Sequence, residues 1–95
     1  MDTAVPSPDG FYRGHYSLGF EVSSLMPCGS AERWWVSVET PALREELGMR
    51  TGTVYAELRG DLSAKGSYGH LGQYARELVV REVVLTRLRT EKDCR

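Results

Sequence analysis

The segment FYRGHYSLGFEVSSL, residues 11–25, carries the clearest indication of the fold. Apolar and aromatic side chains alternate with polar ones along it, as they do in a strand with one buried face. Gly14 and Gly19 lie inside the stretch, and a glycine within a strand is typical of a bulge or a sharp bend. We therefore expect one long first strand over residues 11–25 that bends at these glycines and pairs on both sides, as a small closed barrel requires.

The middle of the chain continues the strand pattern. Residues 33–39 alternate most regularly, which places Trp34 on one face and Trp35 on the other. Residues 53–59 predict another strand of the same kind, and a last strand begins near Arg76. Strands therefore account for most of the regular structure that the sequence predicts.

The last strand changes the face that carries its apolar residues. Leu78 and Val80 share one parity, whereas Val83 and Leu85 share the other. A bulge near Arg81 would bring both pairs to the inward face, because one extra residue in a strand reverses the alternation. The sequence therefore predicts a β-bulge in the closing strand.

One short helix and one glycine-rich loop interrupt the strands. Thr40 is suited to cap a helix over Pro41–Leu47, which has proline at its first position. Glycines recur every third position within residues 63–73, which indicates a loop or a loose hairpin. Together these elements predict an all-β fold, a small five-stranded OB-like barrel with one short helix, in preference to an open sandwich.

Length and charge limit the classes of protein. The 95 residues make one domain, for which we expect a flexible N-terminal leader over 1–10, an OB-like barrel over 11–88 and a polar C-terminal tail over 89–95. The net charge of −1 lacks the positive excess typical of proteins that follow a phosphate backbone. The longest apolar stretch is far shorter than the roughly 20 residues of a membrane span, and the first ten residues do not resemble a signal peptide.

Several segments carry a resemblance to a known family. They are LMPCGS (25–30) running into RWWVSVE (33–39), PALRE (41–45), VYAELRGDL (54–62) and ELVVRE (77–82). In this order they resemble the C-terminal OB-fold domain of the NlpE-like bacterial lipoproteins, which report copper and adhesion stress at the outer membrane.

The resemblance implies an OB-like domain of the cell envelope, periplasmic or associated with the outer membrane, that has no catalytic residues. Its partner would be a protein or a small polar ligand, and it would meet a membrane only through a lipid anchor upstream. The resemblance also implies that a cysteine after the first strand pairs with one near the C-terminus, the positions of Cys28 and Cys94. The family's Cys-x-x-Cys domain has no counterpart in this chain, so its metal sensing does not carry over.

The residues themselves leave two states open for the cysteines. Two cysteines in a small exported domain are suited to one disulfide. The alternative is a pair of free thiols, with Cys28 half-buried at a turn and Cys94 loose in the polar tail.

Metal binding and catalysis find little support in the sequence. His15, Met26, Cys28 and His70 are types that could bind a soft metal ion, but no two of them have a ligand spacing. Nucleophile-elbow, phosphate-loop and dinucleotide motifs are not found. We therefore expect no metal, no cofactor, no catalytic residue and no enzymatic activity.

Aromatic residues are the candidate ligand-binding groups. Trp35 and Tyr55 fall on outward faces of strands that are neighbours in sequence, where they could form a stacking platform. Tyr68, His70 and Tyr74 lie in the glycine-rich segment and could form a mobile recognition loop. The alternative is that the loop or the helix covers the aromatic rings and that the glycines serve a structural turn.

These observations predict a non-enzymatic, OB-like binding or interaction domain of a bacterial envelope protein. A second interpretation is a cytosolic OB domain that binds single-stranded nucleic acid by stacking on Trp35, Tyr55 and Tyr68. Charge argues against the second, because such a groove needs several Lys and Arg residues beside the rings. Nucleic acid is therefore not the partner we expect.

Overall fold

The computed structural model of the chain describes residues 7–19, 21–47 and 52–94. Within these ranges five strands close into a barrel, and a short helix lies between the third strand and the fourth. The elements are β1 (Phe11–Gly19), β2 (Val22–Pro27), β3 (Trp34–Val38), α1 (Pro41–Leu47), β4 (Gly52–Leu62) and β5 (Arg76–Leu88), with a 3₁₀ turn (His70–Gly72) before β5.

The order of the strands around the barrel is β1-β2-β3-β5-β4, and β4 closes it by pairing with β1. β3 and β5 run parallel, whereas the other pairs are antiparallel. The predicted all-β, five-stranded OB-like barrel with one short helix is confirmed. No helix in the described ranges is both long enough and apolar enough to span a membrane.

Strands β1 and β2 form a hairpin, so the prediction of one continuous strand over residues 11–25 is wrong. Gly19 pairs with Val22, and Glu21 has a φ of 56°, which reverses the chain between β1 and β2. Alternation continues across this turn without an Asn-Gly or Asp-Gly signal, so the sequence pattern does not reveal it. The expected pairing on both sides is nevertheless present, because β1 pairs with both β2 and β4.

Gly14 allows these strands to approach each other closely. It pairs with Pro27 on β2 and with Ala56 on β4. A Cβ at this position would overlap the backbone carbonyl of Met26, so β1 requires a residue without a side chain here.

The barrel encloses one apolar core. Trp34 has no exposed surface, and its ring meets that of Tyr12 edge-on with the centroids 5.3 Å apart. Its indole N–H donates to Glu32 over 3.0 Å, which satisfies the polar atom of a buried ring. Removing such a ring would cost about 3–5 kcal/mol. The buried residues around it are Tyr12, Tyr16, Leu25, Val36, Leu47, Val54, Ala56, Leu58, Leu78 and Val80.

The last strand, β5, contains the predicted bulge. Arg59 pairs with Glu82 and Gly60 with Val80, which leaves Arg81 as the extra residue. A second irregularity at Val84 reverses the alternation again, so Val83 packs against the core while Leu85 is 41% exposed. The expectation that Leu85 points inward is therefore wrong.

The helix begins where the sequence predicts. The backbone N–H of Leu43 donates to the hydroxyl of Thr40 over 3.3 Å, which makes Thr40 the cap of Pro41–Leu47. Leu47 is buried and is the helix residue in the core.

The ends of the chain are attached to the barrel. A disulfide joins Cys94 to Cys28, so residues 89–94 are held against the barrel rather than forming a loose tail. At the other end, the amide of Gly60 donates to the carbonyl of Gly10 over 3.0 Å. Residues 1–6 of the expected leader lie outside the described residues.

Candidate functional site

Two neighbouring regions lie on the outer surface of the barrel beside β2. The first is the glycine loop, which we define as residues 63–75 between β4 and β5. It covers the outward indole of Trp35. The ring of Tyr74 lies against this indole with the centroids 5.3 Å apart, and the backbone of Gly69 lies so close that a Cβ there would overlap it. The loop therefore occupies the aromatic surface that a ligand would need for stacking.

Bonds within the glycine loop hold it in place. Tyr68 and Tyr74 exchange two backbone hydrogen bonds of 3.0 and 3.1 Å, and the Tyr68 hydroxyl donates to the carbonyl of Ala64 over 2.9 Å. His70 lies 3.1 Å from the Glu21 carboxylate, which connects the loop to the turn between β1 and β2. The structure thus brings four predicted ligand residues together, Trp35, Tyr68, His70 and Tyr74, but as a cover over the strand.

A carboxylate connects the glycine loop to the core. Glu32 accepts from the indole of Trp34, forms an ion pair with Lys65 over 3.0 Å and lies 3.5 Å from Arg76. The indole hydrogen bond and then the Lys65 contact are the main causes that lower the pKa of Glu32. Glu32 therefore contacts Lys65 near the start of the glycine loop and Arg76 directly after its end.

Tyr55, the fifth predicted ligand residue, lies apart from the other four. It is on the outward face of β4, but β3 pairs with β2 and β5, so the expected position next to Trp35 is wrong. The ring is only 2% exposed, because the Arg87 guanidinium lies 4.1 Å from its centroid. Burial is the main cause that raises the pKa of Tyr55, and its hydroxyl donates to Glu57 over 2.7 Å.

The second region is a cleft of about 150 Å³ on the outer surface, which we call the outer cleft. Strands β1, β2 and β4 form its floor, and residues just before β3 and just after β5 form its sides. It is lined by His15, Ser17, Ser24, Met26, Arg33, Thr53 and Arg89.

Hydroxyl groups cross the floor of the outer cleft in a row. Ser17 pairs with Ser24 on one side and with Thr53 on the other, and the Ser17 and Thr53 hydroxyls are 2.9 Å apart. Ser24 in turn pairs with Trp35, so this row leads to the edge of the glycine loop. The barrel therefore presents a continuous polar strip beside the covered aromatic ring.

Arg33 and Arg89 provide the charge of the outer cleft. Neither guanidinium has a carboxylate within 4.0 Å in the described part of the chain. The lining residues that the structure describes include no aspartate or glutamate. The cleft thus combines two unpaired cations with three hydroxyls.

The C-terminal segment holds one side of the cleft in position. Its Asp93 side chain is fully buried and lies 2.9 Å from His15 and 2.7 Å from Arg87. Burial by itself would raise the pKa of Asp93, but hydrogen bonds from Thr90, His15 and Arg87 outweigh it and hold the pKa well below its usual value. This ionised carboxylate and the disulfide fix the segment that carries Arg89.

Comparisons with known proteins do not identify a family for this chain. No family model, curated protein or solved structure matches this chain. The NlpE-like resemblance therefore stays a prediction. Within the described ranges, no group of three or more His, Cys, Asp or Glu residues could hold a metal ion.

Sequence reasoning missed most of the outer cleft. Ser17, Ser24 and Thr53 are polar residues on the solvent side of alternating strands, and such positions are ordinary in any sheet. Only the pairing register places the three hydroxyls side by side. The register depends on the hairpin turn at Glu21, which the sequence pattern did not reveal.

Proposed function

We propose that this protein is a non-enzymatic OB-like binding domain that takes a small polar ligand in the outer cleft. The observation that carries the proposal is the set of polar groups that meet there, two guanidiniums without a described acidic partner and a row of hydroxyls. OB folds commonly bind ligands on the face of strands 2 and 3 and the adjoining loops. The outer cleft overlaps that face in part, because Ser24 and Met26 of β2 line it and Arg33 directly precedes β3.

The glycine loop is the less favourable place for a ligand. Its aromatic rings contact each other and the backbone, so a stacked ligand would first have to displace Gly69 and Tyr74 from Trp35. The outer cleft needs no such displacement, because its lining groups already border open space.

We further propose that the domain works in the bacterial cell envelope, as the family resemblance implies. The Cys28–Cys94 disulfide supports this proposal, because disulfides persist in oxidising compartments such as the periplasm and are rare in the cytosol. A thiol count on protein isolated from its own cells without added oxidant tests it. Two reactive thiols per chain would contradict an oxidising compartment.

Nuclear magnetic resonance of the ¹⁵N-labelled full chain with its disulfide formed tests binding in the outer cleft. The probes are glycerol, glucose, acetate and inorganic phosphate, each compared with sodium chloride at equal ionic strength. We expect at least one probe to shift the amide signals of Ser17, Ser24 and Thr53. If no probe shifts them, the outer cleft is not a binding site.

Two tryptophan variants make this test specific. Met26 lines the cleft and is 40% exposed, so Met26→Trp fills the cleft without entering the core. Leu71→Trp is the matched control, because Leu71 is 76% exposed on the glycine loop. We expect Met26→Trp to abolish the shifts and Leu71→Trp to keep them. Equal binding by wild type and Met26→Trp would contradict the proposed site.

A further inference from the structure

We propose that the ligand of the outer cleft carries a tetrahedral oxyanion, a phosphate or sulfate group, held between Arg33 and Arg89. This inference rests on the proposed function and names the chemical class of the ligand. Three observations carry it. The two guanidiniums have no acidic partner in the described ranges, they lie in separate parts of the chain, and several hydrogen-bond donors surround them.

Five of the ten Lys and Arg side chains in the described ranges have an acidic partner within 4.0 Å. Arg33 and Arg89 lack one and line the same cleft, whereas Arg13, Arg44 and Lys92 lack one but lie elsewhere. The paired cations and their partners are Arg59 with Asp9 and Glu82, Lys65 and Arg76 with Glu32, Arg81 with Glu39 and Asp61, and Arg87 with Asp93.

The two guanidiniums come from distant parts of the chain. Arg33 directly precedes β3, and Arg89 directly follows β5, in the segment that the disulfide and Asp93 hold. Two like charges that share one cleft repel each other, and in this protein no acidic lining residue is described that could offset them. A bound anion would remove that repulsion, so the cleft favours a negatively charged group although the chain has a net charge of −1.

The donors suit an anion with more than two oxygens. Each guanidinium offers five N–H donors in a planar fork that matches a phosphate or a carboxylate. Ser24 and the Ser17–Thr53 pair add hydroxyl donors on the floor, although the hydrogen bond within the pair uses one of its protons. A carboxylate has two oxygens to accept these bonds, whereas phosphate and sulfate groups have three or four.

The size of the cleft limits the ligand to a compact one. Its volume of about 150 Å³ is similar to that of a cavity that holds one small ring such as benzene. That space accommodates one phosphate or sulfate group with a short attachment. We therefore expect a small monoester or the free ion.

Titrations of the full, disulfide-bonded chain with inorganic phosphate, inorganic sulfate, glycerol 3-phosphate, acetate and glycerol test the inference. Sodium chloride at equal ionic strength is the reference for each. We expect the tetrahedral anions to bind and to compete with one another, and glycerol 3-phosphate to bind where glycerol does not. The relative affinities of inorganic phosphate and glycerol 3-phosphate distinguish a free ion from an ester as the source of the group.

Glutamine variants identify the arginines that hold the group. Arg33→Gln and Arg89→Gln should each weaken phosphate binding about 10- to 100-fold, because each removes charge-assisted hydrogen bonds. Arg44→Gln is the matched control, since Arg44 also lacks an acidic partner in the described ranges but lies on α1, away from the cleft. The three variants should keep the thermal unfolding midpoint of the wild type within a few degrees, because the three side chains are exposed.

The outcomes separate this inference from the proposed function. If glycerol or glucose shifts the cleft amides and neither phosphate nor sulfate does, the domain binds a polar ligand but the oxyanion inference is wrong. Acetate binding as tightly as phosphate would overturn the tetrahedral preference. An equal loss in Arg44→Gln would show that phosphate follows general charge, and this too would overturn the inference. If no probe binds at all, the proposed function fails together with it.

Discussion

The glycine loop and the outer cleft lie beside each other on the barrel and use their polar groups in opposite ways. In the loop, the tyrosine hydroxyl, His70 and the backbone form hydrogen bonds and ion pairs within the protein. In the cleft, Arg33 and Arg89 face open space with no acidic partner described. This contrast shows that the residues most conspicuous in the sequence can be those that the fold itself requires. The groups that remain for a ligand are inconspicuous ones.

Removal of the disulfide should have the largest effect on stability. It should change the outer cleft and leave the glycine loop as it is. The bridge closes a loop with a sequence separation of 66 residues, for which the chain-entropy model predicts a loss of about 4 kcal/mol in the free energy of unfolding. Urea denaturation of the double variant Cys28→Ser/Cys94→Ser measures it. Amide signals of Tyr68 and Tyr74 should stay as in the wild type, whereas phosphate binding should weaken because Arg89 loses its anchor.

Reduced wild-type protein is the control for the double variant, and the two should have the same stability. A double variant as stable as the oxidised wild type would show that the C-terminal segment is held without the bridge.

Substitution of Gly69 should disrupt the glycine loop and leave the outer cleft as it is. Gly69 has a φ of 69° and its backbone lies against the Trp35 indole, so Gly69→Ala introduces both backbone strain and overlap. We expect it to lower the free energy of unfolding by about 2–4 kcal/mol, measured by urea denaturation. Phosphate binding in the outer cleft should persist under conditions where the variant is folded.

Gly19→Ala is the matched control, because a Cβ at Gly19 meets no atom within 4 Å and its φ is not positive. Its stability should stay within about 1 kcal/mol of the wild type. Equal losses in both variants would contradict the close approach of Gly69 to Trp35.

Asp93 provides a pH-dependent test of how the C-terminal segment beside the outer cleft is held. Its folded pKa is lowered, so its ion pairs and hydrogen bonds add stability above the unfolded pKa of about 3.9, and this stability is lost as pH falls below that value. Asp93→Asn lacks this titrating group. We therefore expect Asp93→Asn to be less stable than wild type at neutral pH, and the difference between their urea midpoints to narrow as pH falls from about 5 towards 2.

A constant difference between the two proteins over that pH range would contradict the lowered pKa. Asp61→Asn is the control, because Asp61 is exposed and pairs with Arg81 at the surface. No narrowing of comparable size is expected for it.

The smallest effect should come from the ion pair that connects the glycine loop to the β1–β2 turn. His70 and Glu21 are both partly exposed, with 37% and 49% of their side-chain surfaces accessible. Glu21→Gln should therefore change the free energy of unfolding by less than about 1 kcal/mol. The amide of Gly72, which donates to the carbonyl of Gly69 over 3.0 Å, should exchange with solvent faster in this variant, while exchange at Ser24 should not change. Faster exchange at Ser24 as well would show that the two regions are coupled.

The strand pattern predicted the barrel, the bulge near Arg81 and the cap at Thr40, because alternation and capping are local properties of the sequence. The turn at Glu21 was missed because alternation continues across it. Tyr55 was assigned to the wrong neighbour because the order of strands around the barrel differs from their order in the chain.

The sequence could not predict the outer cleft, for a related reason. Whether an arginine such as Arg33 has an acidic partner depends on which strands pair and in which register, and that is decided by the whole barrel. The same applies to Arg89, which the sequence placed in a loose polar tail. Its position follows from the disulfide and from Asp93, contacts between parts of the chain that are far apart in sequence.

The most direct test of the oxyanion site follows the arginine side-chain Nε–Hε signals of the ¹⁵N-labelled chain during addition of inorganic phosphate. We expect the signals of Arg33 and Arg89 to move together, while those of Arg59 and Arg87 and the amides of Tyr68 and Tyr74 stay in place. Movement of the glycine-loop amides with Arg33 and Arg89 unchanged would contradict this site.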